Sequence, residues 1–470
     1  MQLSFHGADR DVTGSCHLLE CGPHKMLIDC GLFQGVSANE VNFQEFGFDP
    51  ASIDFVFLTH AHLDHCGRLP LLYKRGFRGE VICTSATKEL ARLVLLDSAH
   101  VQEGDAKFAQ KRAARRGHHL HLEPLYGLHD VLNCFDYFGR VANYHQKLKI
   151  TDAISIEFLD AGHILGSAIL RFELHENGQQ RSIIFSGDLG SCGRKWVRDP
   201  EHPKSADFLV MESTYGDRNH RPLTASLDEF YTQIKATLPR GNVVIPSFAL
   251  KRSQEILWYL RERVERGLLP ASMHVFLDSP MAISGTEIFI RHPECYDEET
   301  AKFFIKHPDP FALPHLHFTR DLADSMAINQ VSSGAVILAG SGMCNGGRVV
   351  HHLKHHLWRE HAHIIFVGFA AKGTLARKII DGAKSVHLLG EDIAVNASVS
   401  TINGFSAHAD QGELSAWHAA VGARHTFLVH GEVEVMEQFA SILARQTEAG
   451  KIDLPREGQV FDLLAESLAR

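Results

Sequence analysis

The segment Leu58-Thr-His-Ala-His-Leu-Asp-His-Cys-Gly67 constrains this chain more than any other part of the sequence. It follows an apolar run that predicts a buried strand, and in extended chain a spacing of two puts His60 and His62 on one face. Asp64 and His65 come where the chain turns. Imidazole and carboxylate groups are suitable ligands for zinc. The segment therefore predicts a metal site at a strand end, because a run of surface histidines rarely follows a buried strand at this spacing.

Two later segments offer the further ligands that a site with two metal ions needs. His163 follows a predicted strand in Asp160-Ala-Gly-His-Ile-Leu-Gly166, and Asp188 does the same in Ile184-Phe-Ser-Gly-Asp-Leu-Gly190. The neighbouring glycines let the backbone approach closely. A single histidine or aspartate after a strand is structural more often than not, but these two follow the first segment and point to the same site.

The length of 470 residues exceeds one ordinary core and predicts two domains. The N-terminal part predicts short strands and a polar, helical stretch between Leu90 and Leu132, and from about Ser226 strands alternate with helices. This predicts an α/β domain inserted in a β-rich first domain, with expected boundaries at residues 1–210, 211–395 and 396–470. The strands predicted in the first domain are Met26–Asp29, Phe55–Leu58, Glu80–Cys83, Ile154–Phe158, Ala168–Phe172 and Ser182–Phe185.

Composition excludes several classes of protein. The sequence contains no run of 18 or more apolar residues, so no transmembrane helix is expected. The N-terminal residues lack the charged-then-apolar layout of a secretory signal. Nine scattered cysteines without a C-x-x-C pair predict reduced thiols and a cytoplasmic protein. A net charge of −9 argues against a protein that coats nucleic acid, but not against a nuclease, because bound divalent cations change the local sign.

Together these segments resemble the motifs of the metallo-β-lactamase superfamily, and more narrowly of its β-CASP nucleic-acid-processing family, over nearly the whole chain. The four superfamily motifs are matched by Asp29 in Leu27-Ile-Asp-Cys-Gly31, the cluster His60 to His65, His163 and Asp188. The β-CASP motifs A, B and C are matched by Glu212 in Val210–Gly216, His408 in Gly404–Asp410 and His430 in Leu428–Glu432. Further similar stretches are Ile245–Ala249, Leu277–Met281, Gly340–Arg348 and Gly373–Leu375.

The resemblance implies an αββα metallo-β-lactamase sandwich with an inserted α/β β-CASP domain. RNA-processing members have a histidine in motif C, like His430 here, whereas DNA-repair members usually have an apolar residue. The chain is most similar to bacterial and archaeal homologues of the endonuclease subunit that cuts eukaryotic pre-mRNA 3′ ends. The implied function is a zinc-dependent ribonuclease, endonucleolytic and with 5′-exonuclease action left open. A hydroxide held by two metal ions would hydrolyse RNA in the cleft between the domains.

The resemblance also assigns roles to the site residues. His60, His62 and His163 would bind the first of two zinc ions, Asp64, His65 and His430 the second, and Asp188 would bridge them. His408, oriented by Glu212, is the expected general acid or phosphate contact. Asp64 is expected to be a catalytic residue as well as a metal ligand. Asp29 and Asp410 would orient the ligands from behind, although Asp410 could equally cap a helix.

Expected RNA contacts lie in the inserted domain. The glycine-rich loop from Ser341 to Arg348, which includes Gly342, either cradles a phosphate or is a plain turn. Lys251, Arg252 and Arg348 either contact the RNA backbone or are ordinary solvated charges. Two further features favour the structural interpretation. The basic run Lys107–Arg116 is more typical of a solvated helix face, and His351–His356 of an amphipathic helix than of a third metal site.

Three alternative functions remain at this point. A DNA nuclease on the same fold is disfavoured by His430, and a small-molecule hydrolase has no need for an insert of this size. A non-catalytic RNA-binding scaffold is disfavoured because every ligand position is filled. The sequence leaves the RNA target and the oligomeric state open, with a homodimer among the options.

Overall fold

A computed structural model of the protein describes residues 1–35, 38–118, 121–195, 197–368, 370, 373–446 and 450–465. The chain divides into two units. Unit 1 comprises Met1–Asn219 and His408–Arg470, and unit 2 comprises His220–Ala407. The chain thus leaves the first unit nine residues later, and returns to it twelve residues later, than the sequence suggested.

The first sheet of unit 1 has seven strands. They are β1 (Gln2–Phe5), β2 (His17–Cys21), β3 (His24–Ile28), β4 (Phe55–Phe57), β5 (Glu80–Thr84), β6 (Phe138–Ala142) and β22 (Val460–Asp462). Their order is β22-β1-β2-β3-β4-β5-β6, antiparallel from β22 to β3 and parallel from β3 to β6.

The second sheet of unit 1 also has seven strands. They are β7 (Leu148–Lys149), β8 (Ile154–Asp160), β9 (Ala168–Glu176), β10 (Gln179–Phe185), β11 (Phe208–Glu212), β20 (His425–Val429) and β21 (Lys451–Asp453). Their order is β21-β20-β11-β10-β9-β8-β7. Because β11 pairs with β10 on one side and β20 on the other, Glu212 belongs to unit 1, which is why the unit extends past residue 210.

The two sheets pack face to face through a phenylalanine-rich core. Phe57 of the first sheet meets Phe172 of the second edge-on at 5.0 Å, and Phe5 meets Phe427 at 5.5 Å. The helices of unit 1 are α1 (Ala38–Phe43), α2 (Leu63–Cys66), α3 (Leu69–Lys74), α4 (Ser85–Arg115), α5 (Leu128–Cys134), α13 (Gln411–Val421) and α14 (Val433–Leu443). α13 and α14 cover the second sheet, and α4 contacts β5 and β6 of the first. The expected αββα sandwich is confirmed.

Unit 2 is built on a six-stranded parallel sheet. Its strands are β12 (Val243–Pro246), β13 (His274–Asp278), β14 (Leu316–Phe318), β15 (Ala335–Ala339), β16 (His363–Phe366) and β19 (Ser398–Thr401), in the order β14-β13-β15-β12-β16-β19. The central strands are almost entirely apolar, as expected for a parallel sheet buried on both faces. Since β19 pairs with β16, residues 398–401 belong to unit 2 and not to the return segment.

Helices and a hairpin complete unit 2. The hairpin consists of β17 (Ser385–Leu388) and β18 (Glu391–Ala394). The helices are α6 (Leu223–Thr237), α7 (Arg252–Glu265), α8 (Pro280–Arg291), α9 (Glu298–Lys306), α10 (Leu322–Ala327), α11 (Arg348–His356) and α12 (Leu375–Ile380). The α/β architecture predicted for the insert is confirmed.

The helices and thiols also bear on the expectations from the sequence. The helical stretch between Leu90 and Leu132 is divided between α4 and α5. Among the described residues, no helix combines the length and the apolarity that a membrane span requires. All nine cysteines are free thiols, and only Cys192 is exposed.

Candidate metal centre

The segment from Thr59 to His65 is held in place by the end of strand β4. Beyond the strand the chain stays extended as far as His62, which is the N-terminal cap residue of α2. This short helix turns the chain so that Asp64 and His65 point to the same region as His60. Unit 1 therefore brings four candidate ligands from six consecutive residues to one region, as the spacing predicts.

The first ligand group consists of His60, His62, His163 and Asp188. Nδ1 of His62 lies 3.1 Å from Nε2 of His60 and 3.2 Å from Nε2 of His163. Oδ2 of Asp188 lies 3.4 Å from Nε2 of His60 and 3.5 Å from Nε2 of His163. A tetrahedral zinc ion with bonds of about 2.0–2.1 Å places its ligands about 3.3 Å apart. The four donor atoms therefore fit a tetrahedral zinc ion.

The second ligand group consists of Asp64, His65 and His430. Nε2 of His430 lies 3.6 Å from Oδ2 of Asp64, and Nε2 of His65 lies 3.3 Å from Oδ1 of Asp188. Nε2 of His65, Nε2 of His430 and Oδ1 of Asp188 are buried and make no hydrogen bond within the described part of the chain. Buried polar atoms without a partner are costly, so this donor set fits a bound cation.

The two oxygens of Asp188 face different ligand groups. Oδ2 lies beside His60 and His163, whereas Oδ1 lies beside His65 and His430. This is the geometry expected of a ligand that bridges two metal ions.

Three hydrogen bonds fix the orientation of the imidazoles. Nδ1 of His65 lies 2.7 Å from Oδ2 of Asp29, so Asp29 occupies the supporting position that the sequence suggested. Hydroxyl groups do the same for two other ligands, since Thr59 lies 3.1 Å from Nδ1 of His60 and Thr214 lies 3.0 Å from Nδ1 of His430. Each contact leaves Nε2 facing the centre. Sequence reasoning missed both threonines, although each lies within two residues of a motif residue.

The electrostatics of the first group favour metal binding. Burial lowers the pKa of His60 to about 3 and that of His62 to about 4, so both imidazoles are neutral at pH 7. Burial by itself would raise the pKa of Asp188, but His430, His65 and His60 hold that pKa well below its usual range. Neutral imidazole and ionised carboxylate are the forms that bind metal ions.

His408 and Glu212 form a pair beside the first ligand group. Nδ1 of His408 lies 3.2 Å from Oε2 of Glu212 and 3.9 Å from Oδ2 of Asp188. Burial disfavours the charged imidazole, but Glu212 outweighs it and raises the pKa of His408 to about 9. His408 is held by pairing with Gly190, and its side chain keeps 22% exposure. A protonated, partly exposed imidazole beside the ligands can donate a proton to a substrate.

Asp410 takes the helix-capping role that the sequence left as an alternative. Its side chain accepts a hydrogen bond from the backbone N–H of Glu413, and Glu413 returns one to the backbone N–H of Asp410. This is a capping box at the start of α13. The structure thus gives Asp410 a function in ending the loop that carries His408.

Three family sequence models match the chain. A metallo-beta-lactamase superfamily domain matches residues 18–188, a Beta-Casp domain residues 253–379, and a Zn-dependent metallo-hydrolase RNA specificity domain residues 392–455. Ribonuclease TTHA0252 of Thermus thermophilus is 38% identical over 98% of this chain and 99% of that protein. The chain belongs to the β-CASP family of the metallo-β-lactamase superfamily. The family expected from the sequence is thereby confirmed.

Longer β-CASP relatives and a distant structure are also similar. Transcription termination factor FttA is 32% identical in Methanosarcina mazei, over 94% of this chain and 68% of that protein, and 31% identical in Pyrococcus horikoshii, over 95% and 68%. A crystal structure of a protein of unknown function from Enterococcus faecalis V583 matches with a TM-score of 0.56 at 12% identity, covering 98% of this chain and 99% of that one. At that identity the last match supports the fold alone.

The cations expected to contact RNA belong to the β-CASP insert, and two of them form internal ion pairs. Nη1 of Arg348 donates to Oδ1 of Asp278 at 2.7 Å and to the carbonyl of Thr319 at 2.8 Å. Arg252 pairs with Glu255, and Lys251 is only 3% exposed. The structure therefore gives Arg348 and Arg252 internal partners, and their contact with the RNA backbone stays a prediction.

The glycine-rich loop of the insert is closed by its own hydrogen bonds. The N–H of Ser341 donates to the carbonyl of Gly346 at 3.4 Å, and the N–H of Cys344 donates to the carbonyl of Ser341 at 3.1 Å. Gly342 lies within this turn. These contacts favour the plain-turn interpretation over a phosphate cradle, since they occupy two of the loop's amide groups.

The histidine-rich helix α11 carries no metal cluster. Nε2 of His352 lies 2.6 Å from Oδ2 of Asp278, and Nδ1 of His356 lies 2.9 Å from the carbonyl of His352. Among the described residues, the two ligand groups and a third group, Asp188, Glu212 and His408, have metal-binding geometry, and all of them lie in unit 1. The amphipathic-helix interpretation of residues 351–356 agrees with these contacts.

Proposed function

We propose that this chain is a zinc-dependent ribonuclease that holds two zinc ions per chain and hydrolyses RNA phosphodiester bonds. The observation that carries the proposal is the position of Asp188 between two ligand groups, with one carboxylate oxygen facing each. The similarity to Ribonuclease TTHA0252 over almost the full length of both chains supports the same activity.

The ligands divide into two sets in this proposal. His60, His62 and His163 would hold the first ion, Asp64, His65 and His430 would hold the second, and Asp188 would serve both. Two bound zinc ions would lower the pKa of an attacking water and neutralise charge on the phosphate. Asp29, Thr59 and Thr214 keep the imidazoles in the orientation that binding requires. Those three side chains act on the imidazoles and are positioning residues in this proposal.

His408 supplies the proton for the departing sugar oxygen. Glu212 holds the imidazole through Nδ1 at 3.2 Å and thereby fixes the orientation of the ring. With a pKa raised to about 9, mainly by Glu212 acting against burial, His408 carries its proton at pH 7. A positioned general acid of this kind contributes typically 10²–10⁴-fold to the rate.

RNA is the favoured substrate within the family. The RNA specificity domain matches residues 392–455, which contain both His408 and His430. A DNA nuclease is disfavoured because motif C is a histidine, and a small-molecule hydrolase because the insert matches the Beta-Casp domain. A non-catalytic scaffold is disfavoured because all ligand side chains converge. The nine free thiols suit a reducing compartment such as the cytoplasm.

The first test uses zinc-loaded protein with 5′-labelled and with internally labelled RNA. Internal cuts in both substrates are expected, and a chelator should abolish them. Release of 5′ mononucleotides would add exonuclease action. Cleavage of DNA and not RNA, or full activity in chelator, would overturn the proposal. A homodimer stays a prediction that sedimentation equilibrium would check.

A second test concerns the contribution of unit 2 to RNA binding. The chain leaves and re-enters unit 1 at neighbouring points, because the N–H of Gly412 donates to Oδ1 of Asn219 at 2.9 Å. A short linker can therefore replace residues 220–407. The shortened protein should lose RNA cleavage and retain slow hydrolysis of bis(p-nitrophenyl) phosphate. Loss of both activities in a folded, zinc-loaded protein would show that unit 2 does more than bind RNA.

A further inference from the structure

Helix α4 extends beyond the part of it that packs against unit 1. It spans 31 residues, Ser85–Arg115, and its buried side chains end at Ala106. The remaining nine residues continue for about 14 Å at 1.5 Å per residue. Packing of an apolar face therefore does not explain the residues that this end of α4 carries.

One face of this end is basic and carries an exposed aromatic ring. Two neighbouring rows at four-residue spacing make up the basic face of α4, namely Lys107, Lys111 and Arg115, and Phe108, Arg112 and Arg116. Phe108 is 69% exposed, and residues 106–118 contain no acidic side chain. The opposite face carries the half-buried side chains of Ala109, Gln110 and Ala113. Nε2 of Gln110 donates to the carbonyl of Leu122 at 2.9 Å. The helix is thus oriented with its basic face outwards.

Helix stability does not account for these charges. Cations favour the negative end of the helix dipole only in the last turn, which leaves Lys107 and Lys111 unexplained. Cations four residues apart repel each other. Lys107 pairs with Glu103 at 3.7 Å, but Lys111, Arg112 and the two following arginines form no ion pair with another described residue. A chain of net charge −9 therefore keeps a concentrated, unneutralised basic face.

The other end of α4 lies next to the metal centre. Oγ1 of Thr84 and Oγ1 of Thr87 each donate to the carbonyl of Gly166 at 2.8 Å, three residues after the ligand His163. The basic face begins 22 residues further along the helix, a distance of about 33 Å. A stacked single strand with about 3.4 Å per nucleotide covers this distance in on the order of ten nucleotides.

We propose that the basic face of α4 binds the sugar-phosphate backbone of RNA on the order of ten nucleotides from the scissile bond. Phe108 stacks on a base, and the lysines and arginines contact phosphates. Alternating cations and an exposed aromatic ring are the features that bind single strands without sequence preference. The inference rests on the proposed ribonuclease function, and it predicts that the affinity for RNA depends on the length of the RNA.

The test compares two charge variants of the zinc-loaded full chain. The first variant combines four substitutions in the basic face, namely Lys111→Gln, Arg112→Gln, Arg115→Gln and Arg116→Gln. The matched control removes four exposed cations elsewhere on unit 1, through Lys149→Gln, Lys204→Gln, Arg424→Gln and Arg445→Gln. Binding of a 25-nucleotide and a 6-nucleotide RNA is measured as a function of salt. Hydrolysis of bis(p-nitrophenyl) phosphate should be equal in all proteins.

For the long RNA, four lost phosphate contacts reduce the slope of log K against log[salt] by up to about 3. The expected loss of affinity at 0.1 M salt is at least tenfold, and binding of the short RNA should not change. Phe108→Ala should weaken binding of the long RNA roughly 5- to 150-fold with the salt slope unchanged.

Failure of the inference and failure of the proposed ribonuclease function give different results. A charge variant that binds and cleaves the long RNA like its control overturns the inference and leaves the ribonuclease function standing. In that case, loss of binding to phosphatidylserine vesicles in the variant would assign the basic face to a membrane surface. Wild-type protein that hydrolyses the small phosphodiester but cleaves neither RNA overturns the proposed function itself, and the inference with it.

Discussion

Replacement of Asp29 by asparagine should weaken zinc binding at the second metal position and spare the first. In the native site Oδ2 of Asp29 accepts a hydrogen bond from Nδ1 of His65 at 2.7 Å, and Oδ1 accepts one from the N–H of Thr59 at 2.8 Å. In Asp29→Asn the amide oxygen can keep the Thr59 contact, which turns the NH₂ group towards His65. Two donors then meet, so the imidazole proton moves to Nε2, the atom that faces Asp188.

The expected loss of zinc affinity at the second position is about 10- to 100-fold, the usual effect of removing a group that orients a ligand. This corresponds to about 1.4–2.7 kcal/mol. Chelator competition measures the two affinities. Asp410→Asn is the matched control, because asparagine caps a helix as well as aspartate does and both zinc ions should stay. Equal zinc loss in the two variants, or none in Asp29→Asn, would refute this reasoning.

Three further predictions concern the site and the insert. Asp188→Asn should lose both zinc equivalents, whereas His60→Ala should lose the first, as elemental analysis of protein purified without chelator would show. His408→Ala should keep both ions, slow RNA cleavage 10²–10⁴-fold and recover partly with a p-nitrophenolate leaving group, whereas His430→Ala should lose the second ion and not recover. Asp278→Asn should lower the free energy of unfolding by about 3 kcal/mol at pH 7 in urea titrations. Because hydrogen bonds outweigh burial and hold the pKa of Asp278 below its usual 3.8, this difference should persist above pH 4 and shrink on further acidification.

The ligands could be predicted from the sequence because each one depends on local information. Each histidine or aspartate follows a strand end, and a strand end is visible as an apolar run followed by polar or glycine residues. The hydroxyl of Thr59 is next to His60 in the sequence, but that of Thr214 could not be assigned to its ligand in this way. Thr214 meets His430 across 216 residues, a contact that exists only because β11 and β20 pair in the second sheet.

The same limit explains the cations of unit 2. The sequence shows that Arg348 follows a glycine-rich loop, but its partner Asp278 lies 70 residues earlier, at the end of another strand of the parallel sheet. From the sequence, Arg348 has no neighbouring carboxylate and is therefore interpreted as an RNA contact. Only the folded sheet brings Asp278 to it. The boundaries of the insert differ from the expected ones for a similar reason, since β11 pairs with β20, about 215 residues later, and β19 pairs with β16 of unit 2.

The interruption of unit 1 by unit 2 sets an order of events during synthesis on the ribosome. The four ligands of the first group are complete once Asp188 has been made, whereas the second group waits for His430, roughly 240 residues later. At 5–20 residues per second this interval lasts about 12–50 s. During this interval β11 lacks its neighbour β20 until residues 425–429 follow, and His408 is made only 22 residues before His430. The nascent chain beside its messenger RNA therefore lacks a complete second ligand group until His430 has been made.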